Sequence, residues 1–64
     1  MKIALIGYGY WGKIIFKYLK NDNYFELVKI YDKKNKNIDS LFIDNIDSIM
    51  KDTEIKALYI ATPV

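Results

Sequence analysis

The chain contains no cysteine and no histidine. Without cysteine no disulfide can brace the fold, an absence that agrees with a reducing compartment. Without histidine the commonest zinc ligand and the usual near-neutral general base are both missing. Arginine is absent as well: all ten basic residues are lysine, so there is no guanidinium for bidentate contact with bases or phosphates. A net charge of +2 is too small to argue for nucleic acid as a partner. No stretch approaches the roughly 20 apolar residues that a membrane-crossing helix needs. The apolar start Ile3-Ala4-Leu5-Ile6 is not a secretory leader, because Gly7, Gly9 and Gly12 interrupt it, Lys13 follows and no small-residue cleavage site appears. A soluble, cytoplasmic protein that uses neither metal nor membrane is expected.

At 64 residues the chain makes one domain at most. A fold of this size buries only about 60% of the surface its unfolded chain exposes, and small folds normally compensate with disulfides, metals or association. With the first two removed, oligomerisation or membership of something larger remains.

Lys2–Ile6 predicts a short strand whose residues 3–6 form an unbroken apolar run, as expected of a parallel strand covered on both faces. Beyond the glycines, Trp11, Ile14, Ile15, Tyr18 and Leu19 recur at helical spacing while Lys13, Lys17 and Lys20 line the other side. Trp11 is expected to pack rather than to touch a ligand with its ring. Asn21-Asp22-Asn23 ends this helix. Phe25–Tyr31, rich in β-branched and aromatic residues, predicts a second strand closed by Asp32. Residues 33–40 predict a polar loop, and 41–43 a brief third strand. Asp44 is the expected N-cap of a second helix, with Asp47 in its first turn and Ile46, Ile49 and Met50 on its inner face. Ala57–Ala61 predicts a last strand, exposed at the sheet edge and suited to pairing with a second copy. The alternation predicts an α/β fold with a three- to four-stranded parallel sheet and two helices.

Gly7-Tyr8-Gly9-Tyr10-Trp11-Gly12 is a G-x-G-x-x-G sequence that follows a predicted strand and opens a predicted helix, with an acidic residue, Asp32, twenty positions beyond its last glycine. That context defines the dinucleotide-binding fingerprint of a partial Rossmann fold, with strand order 3-2-1-4. Gly7 permits the tight turn, Gly9 admits a pyrophosphate to the backbone and Gly12 lets the helix approach the sheet. The amides of Tyr10 and Trp11 face the phosphates at the positive end of the helix. Asp32 accepts hydrogen bonds from the adenosine ribose, favouring NAD(H) over NADP(H), although Lys33 and Lys34 partly offset repulsion of a 2′-phosphate. The cluster Lys33, Lys34 and Lys36 is otherwise a solvated loop. A rival pattern, G-x-x-x-x-G-K over Gly7–Lys13, lacks the Ser or Thr that would hold Mg²⁺, because Ile14 stands there.

IALIGYGYWGK, from Ile3 to Lys13, resembles the opening of the Gfo/Idh/MocA oxidoreductases, the glucose–fructose oxidoreductase and inositol dehydrogenase family. Its Tyr-Trp pair is similar to members that act on sugar nucleotides. Leu27–Asp32 resembles that family's second strand, Asp44–Met50 the small helix before its fourth, and Ala57–Pro63 that fourth strand with its A-T-P ending. The resemblance implies that the loops after Ile6 and Ala61 flank the cofactor, with Thr62 and Pro63 near its ribose-nicotinamide portion. It further implies NAD(P)-dependent oxidation of a sugar, cyclitol or sugar nucleotide. The nine residues between Tyr31 and Leu41 are fewer than the family's helical crossover needs. The family's catalytic lysine segment and substrate domain have no counterpart in residues 1–64, so no catalytic residue is assigned. The expectation is a truncated NAD(P)-binding domain, inactive alone. The alternative is a non-catalytic small protein that binds a dinucleotide or a partner chain.

Overall fold

Every side chain from Ile3 to Ile6 is buried, which explains why the first strand is apolar without alternation. In the computed structural model, which describes residues 1–35 and 38–62, this strand, β1 (Lys2–Ile6), is the centre of a parallel sheet. β2 (Glu26–Tyr31) pairs on one side and β3 (Ile55–Ile60) on the other. Helix α1 (Tyr10–Lys20) connects β1 to β2, and the single turn α2 (Asp47–Met50) precedes β3.

Successive residues of β1 serve opposite faces. Ile3 and Leu5 join Leu19, Leu27 and Ile30 on the α1 side, while Ala4 and Ile6 meet Ile49 on the α2 side. Leu27 and Ile30 are three residues apart and would point to opposite faces of a regular strand. The register shift opposite Ile3 and Ala4 inserts Val28 as an extra residue and brings both to one core. A second shift, between Lys2 and Ile3, does the same for β3: Ile55 packs on the α2 side and Ala57, two positions later, on the α1 side. Each fully buried Leu or Ile contributes about 1.5–3 kcal/mol, so Leu5 and Ile30, both at 0% exposure, anchor the α1-side core.

The α/β architecture with a three-stranded parallel sheet and two helices agrees with expectation, but the strand order is β2-β1-β3 rather than 3-2-1-4. Residues 41–43 form no strand. Phe42 makes a single parallel bridge to Ile30, held by Ile30 N to Leu41 O and Ile43 N to Ile30 O, each 2.9 Å. The reason is chain length: nine residues cannot cross over and then lie down as a strand.

Other corrections are local. The inner face of α1 is Gly12, Ile15, Phe16 and Leu19, whereas Trp11 and Tyr18 are 65% and 73% exposed. Asp44 does not cap α2. Asn45 Oδ1 accepts the Asp47 amide at 2.9 Å, and Met50, expected inside, is exposed. Asn21 ends α1 as expected, its side chain donating to Lys17 O. Lys29 Nζ ties the α2 layer to the sheet through Ser48 O and Asp52 Oδ2, 2.9 and 3.0 Å away. Among the described residues no helix is long and apolar enough to cross a membrane.

Candidate dinucleotide site at the carboxyl ends of the strands

The three strands run parallel, so their carboxyl ends emerge together, and Gly7 lies where they converge. Its amide donates to Tyr31 O, the last residue of β2, at 2.8 Å, and Ala61 N donates to Ile6 O at 2.8 Å on the other side. Gly7 has φ +105°, and a Cβ there would stand 2.8 Å from the Ala61 carbonyl carbon. Position 7 therefore excludes other residues both by conformation and by space. Gly12 is required for a different reason. A Cβ on it would overlap the Gly7 carbonyl oxygen and lie 2.8 Å from the Gly7 carbonyl carbon. The first turn of α1 rests directly on the turn that leaves β1.

Gly9 differs from both. It is exposed, its φ of −81° suits any residue, and a Cβ there would meet nothing within 4 Å. No neighbouring atom excludes a side chain at this position. Gly9 is the N-cap of α1 and accepts the Lys13 amide at 3.0 Å, but no side chain caps the helix and no acidic residue lies in its first turn. Among the described residues, the amides of Tyr10, Trp11 and Gly12 have no protein acceptor. They carry the positive end of the helix dipole outward.

Asp32 stands just beyond β2. Its Oδ1 accepts the Tyr8 amide at 2.7 Å, and its Oδ2 accepts the amides of Asn35 at 2.7 Å and Lys34 at 3.0 Å and Asn35 Nδ2 at 3.1 Å. Partial burial pushes this carboxyl's pKa up, but the hydrogen bonds from Asn35, Tyr8 and Lys34 outweigh it and hold the group below the usual aspartate value. Asn35 Nδ2 also donates to Tyr8 O at 3.2 Å. The Tyr8 ring packs edge-on against Phe16 and Phe42, with centroids 5.6 and 4.9 Å away. Asn35 was not singled out by sequence. Its signal is the Asx-turn pattern, an aspartate followed by amides two and three residues on.

The strand ends thus bring together Gly7, Gly9, Gly12, the amides of Tyr10 and Trp11, Asp32 and Ala61. Lys33 is exposed in the loop and touches none of them through a recorded bond. Trp11, Tyr59, Ile60, Ala61 and Thr62 line a shallow hollow of about 250 Å³, so the Trp11 ring borders the mouth of the site instead of packing in the core. Pro63 and Lys36 lie outside the described residues. A larger hollow, about 580 Å³, opens near the far end of α1 beside Lys17 and Tyr18, away from these groups. Comparisons with protein-family models, curated proteins and solved structures found no match.

Proposed function

We propose that the chain binds a dinucleotide, NAD(H) in preference to NADP(H), as the cofactor-holding part of a Rossmann-type oxidoreductase. The observation that carries this is Gly9, a glycine with open space where a side chain would stand, placed at the uncapped start of an eleven-residue helix. A ligand that must approach the backbone closely is a reason for the missing side chain. The free amides beside it suit a pyrophosphate, since helix N-termini bind anions through their N–H groups and dipole. Strand order supports the same reading. The chain leaves β1 toward one side for β2 and returns to the other for β3, so the crevice beside Gly7 lies where the order reverses.

In this reading Gly7 and Gly12 shape the turn, the Tyr10 and Trp11 amides hold the phosphates, and Asp32 meets the adenosine ribose. Ala61 and Thr62 border the nicotinamide half, while Lys33 lies near the adenosine end. When bound, the nicotinamide supplies hydride transfer, and the residues of this chain supply binding and orientation. The Gfo/Idh/MocA resemblance supports a sugar, cyclitol or sugar nucleotide as the substrate class, and the absence of cysteine supports a cytoplasmic setting. Calorimetric titration with NADH and NADPH tests the proposal. Saturable binding, stronger for NADH and weakened by Gly9→Val and by Asp32→Ala, is the expected result. No binding by a folded chain overturns it.

A second reading, a partner-binding module, is favoured by β3. This edge strand leaves Leu58, Tyr59 and Ile60 at 43%, 43% and 62% exposure, a template for pairing with a second copy. It requires a dimer in sedimentation, and a monomeric mass at high micromolar concentration refutes it.

A further inference from the structure

A carboxylate offers about four lone-pair sites, two on each oxygen, and Asp32 does not share its donors evenly. Oδ1 accepts only the Tyr8 amide and keeps a site open, while Oδ2 accepts three N–H groups. A ribose brings two adjacent hydroxyls. One can donate to the open site on Oδ1, but the second would be a fourth donor at Oδ2, which already accepts three N–H groups on two lone pairs, unless it takes the place of one of them. Of the three donors there, the Lys34 and Asn35 amides belong to the backbone of the turn. Asn35 Nδ2 is the longest of the three at 3.1 Å and the only one on a rotatable side chain.

We infer that the Asn35 side-chain amide is an exchangeable occupant of the position for the second ribose hydroxyl, and that it sets the affinity of the site for a vicinal diol. This rests on the dinucleotide reading above. The same Nδ2 reaches Tyr8 O at 3.2 Å, so its withdrawal also releases a carbonyl of the glycine turn. Diol binding at Asp32 is thereby coupled to the loop that carries Gly7 and Gly9. Asn35 is a positioning residue: it acts on the ligand through Asp32.

The test compares the wild-type chain with Asn35→Ala in calorimetric titrations with NADH and with its analogue lacking the adenosine 2′-hydroxyl. The substitution keeps the Asn35 backbone amide, whose 2.7 Å bond holds the turn, and amide chemical shifts of Tyr8 and residue 35 report that the turn persists. Removing one hydrogen bond to a charged acceptor changes the competition by about tenfold. NADH is therefore expected to bind Asn35→Ala about tenfold more tightly, with the analogue changed by no more than about twofold, since its single hydroxyl uses the open site on Oδ1. If both ligands shift by the same factor, or neither shifts, the role of Asn35 is overturned while NADH binding to the wild type leaves the dinucleotide reading standing. If neither protein binds NADH although circular dichroism shows both folded, the dinucleotide reading falls and takes this inference with it.

Discussion

Gly9→Ala and Gly12→Ala make the same chemical change three residues apart, and the structure assigns them opposite consequences. At Gly9 the added methyl meets nothing within 4 Å, and φ is −81°. Restricting the unfolded chain stabilises by about 0.4–1 kcal/mol. Losing glycine at an N-cap costs about 0.5–1 kcal/mol, because alanine is a poor cap. The two offset, and the change in stability is expected to stay within about 0.5 kcal/mol. At Gly12 the helix gains about 1 kcal/mol in propensity. Against that, the methyl overlaps the backbone of Gly7, itself pinned by the Tyr31 carbonyl and by Ala61, so no flexible side chain can give way. Overpacking typically costs 1–3 kcal/mol and occasionally more. With only backbone to move, the upper end applies, leaving a net loss of about 2 kcal/mol. A 64-residue chain has roughly 3–10 kcal/mol in total, and each kcal/mol is worth about 4–8 °C in a domain this small. Thermal unfolding followed by circular dichroism should place Gly12→Ala about 8–16 °C below the wild type and Gly9→Ala within about 4 °C. In NADH titrations, Gly9→Ala should nevertheless lose about tenfold or more in affinity through the methyl set between backbone and pyrophosphate. A Gly9→Ala chain that melts as low as Gly12→Ala would refute the reasoning, because the fold would then account for Gly9 and no ligand would be needed to explain it.

Two further outcomes follow from charged groups. The pKa of Asp32 is depressed, so its contribution to stability is present above the unfolded aspartate value near 3.8 and is lost as pH falls through the lower folded value. Denaturant midpoints should decline below about pH 4, and Asp32→Asn, which cannot ionise, should flatten that part of the curve; an unchanged slope would show that Asp32 is not a source of the acid sensitivity. Lys29→Met, which removes both the Asp52 ion pair and the bond to Ser48 O across the α2 layer, should cost about 1–2 kcal/mol in urea unfolding. Lys2→Met, which breaks the solvent-exposed pair with Glu54, should leave the urea midpoint nearly unchanged, with any loss smaller at high salt.

The parts of the fold legible in the sequence are those set by local pattern. β1 was readable because a strand buried on both faces has no polar residue to interrupt it, and α1 because its lysines share one side. The parts that were not legible depend on how neighbouring backbones fit. A helical wheel weights large apolar residues, so it placed Trp11 and Tyr18 inside. The closest approach of α1 to the strand end is instead made by its smallest residue, Gly12, which turns the buried face toward Ile15, Phe16 and Leu19. The start of β3 was hidden because Ile55 and Lys56 straddle a register shift that breaks the period of two. Residues 41–43 have strand-like composition, but composition does not register that the preceding connection is too short to align them along β2.

The candidate site divides in the same way. Spacing alone located Asp32 and the three glycines, because a strand, a tight turn and a helix followed by a second strand fix how far apart in sequence these residues must lie. Spacing treats the glycines as equals, whereas geometry separates them: neighbouring backbone excludes a side chain at Gly7 and Gly12 and leaves open space at Gly9. Spacing likewise presents Asp32 as a carboxylate awaiting a ligand, whereas in the folded chain it is a junction between the loops after β1 and β2, joined to Tyr8 on one oxygen and to Lys34 and Asn35 on the other. A residue that holds two loops together at the mouth of the candidate site reports on both. A diol that draws on both oxygens of Asp32 must exchange a bond within that junction, so the order of the loops and the affinity for such a diol are a single equilibrium. Substituting Asn35 is the least disruptive way to move that equilibrium, because it alters one donor and leaves the backbone of both loops in place.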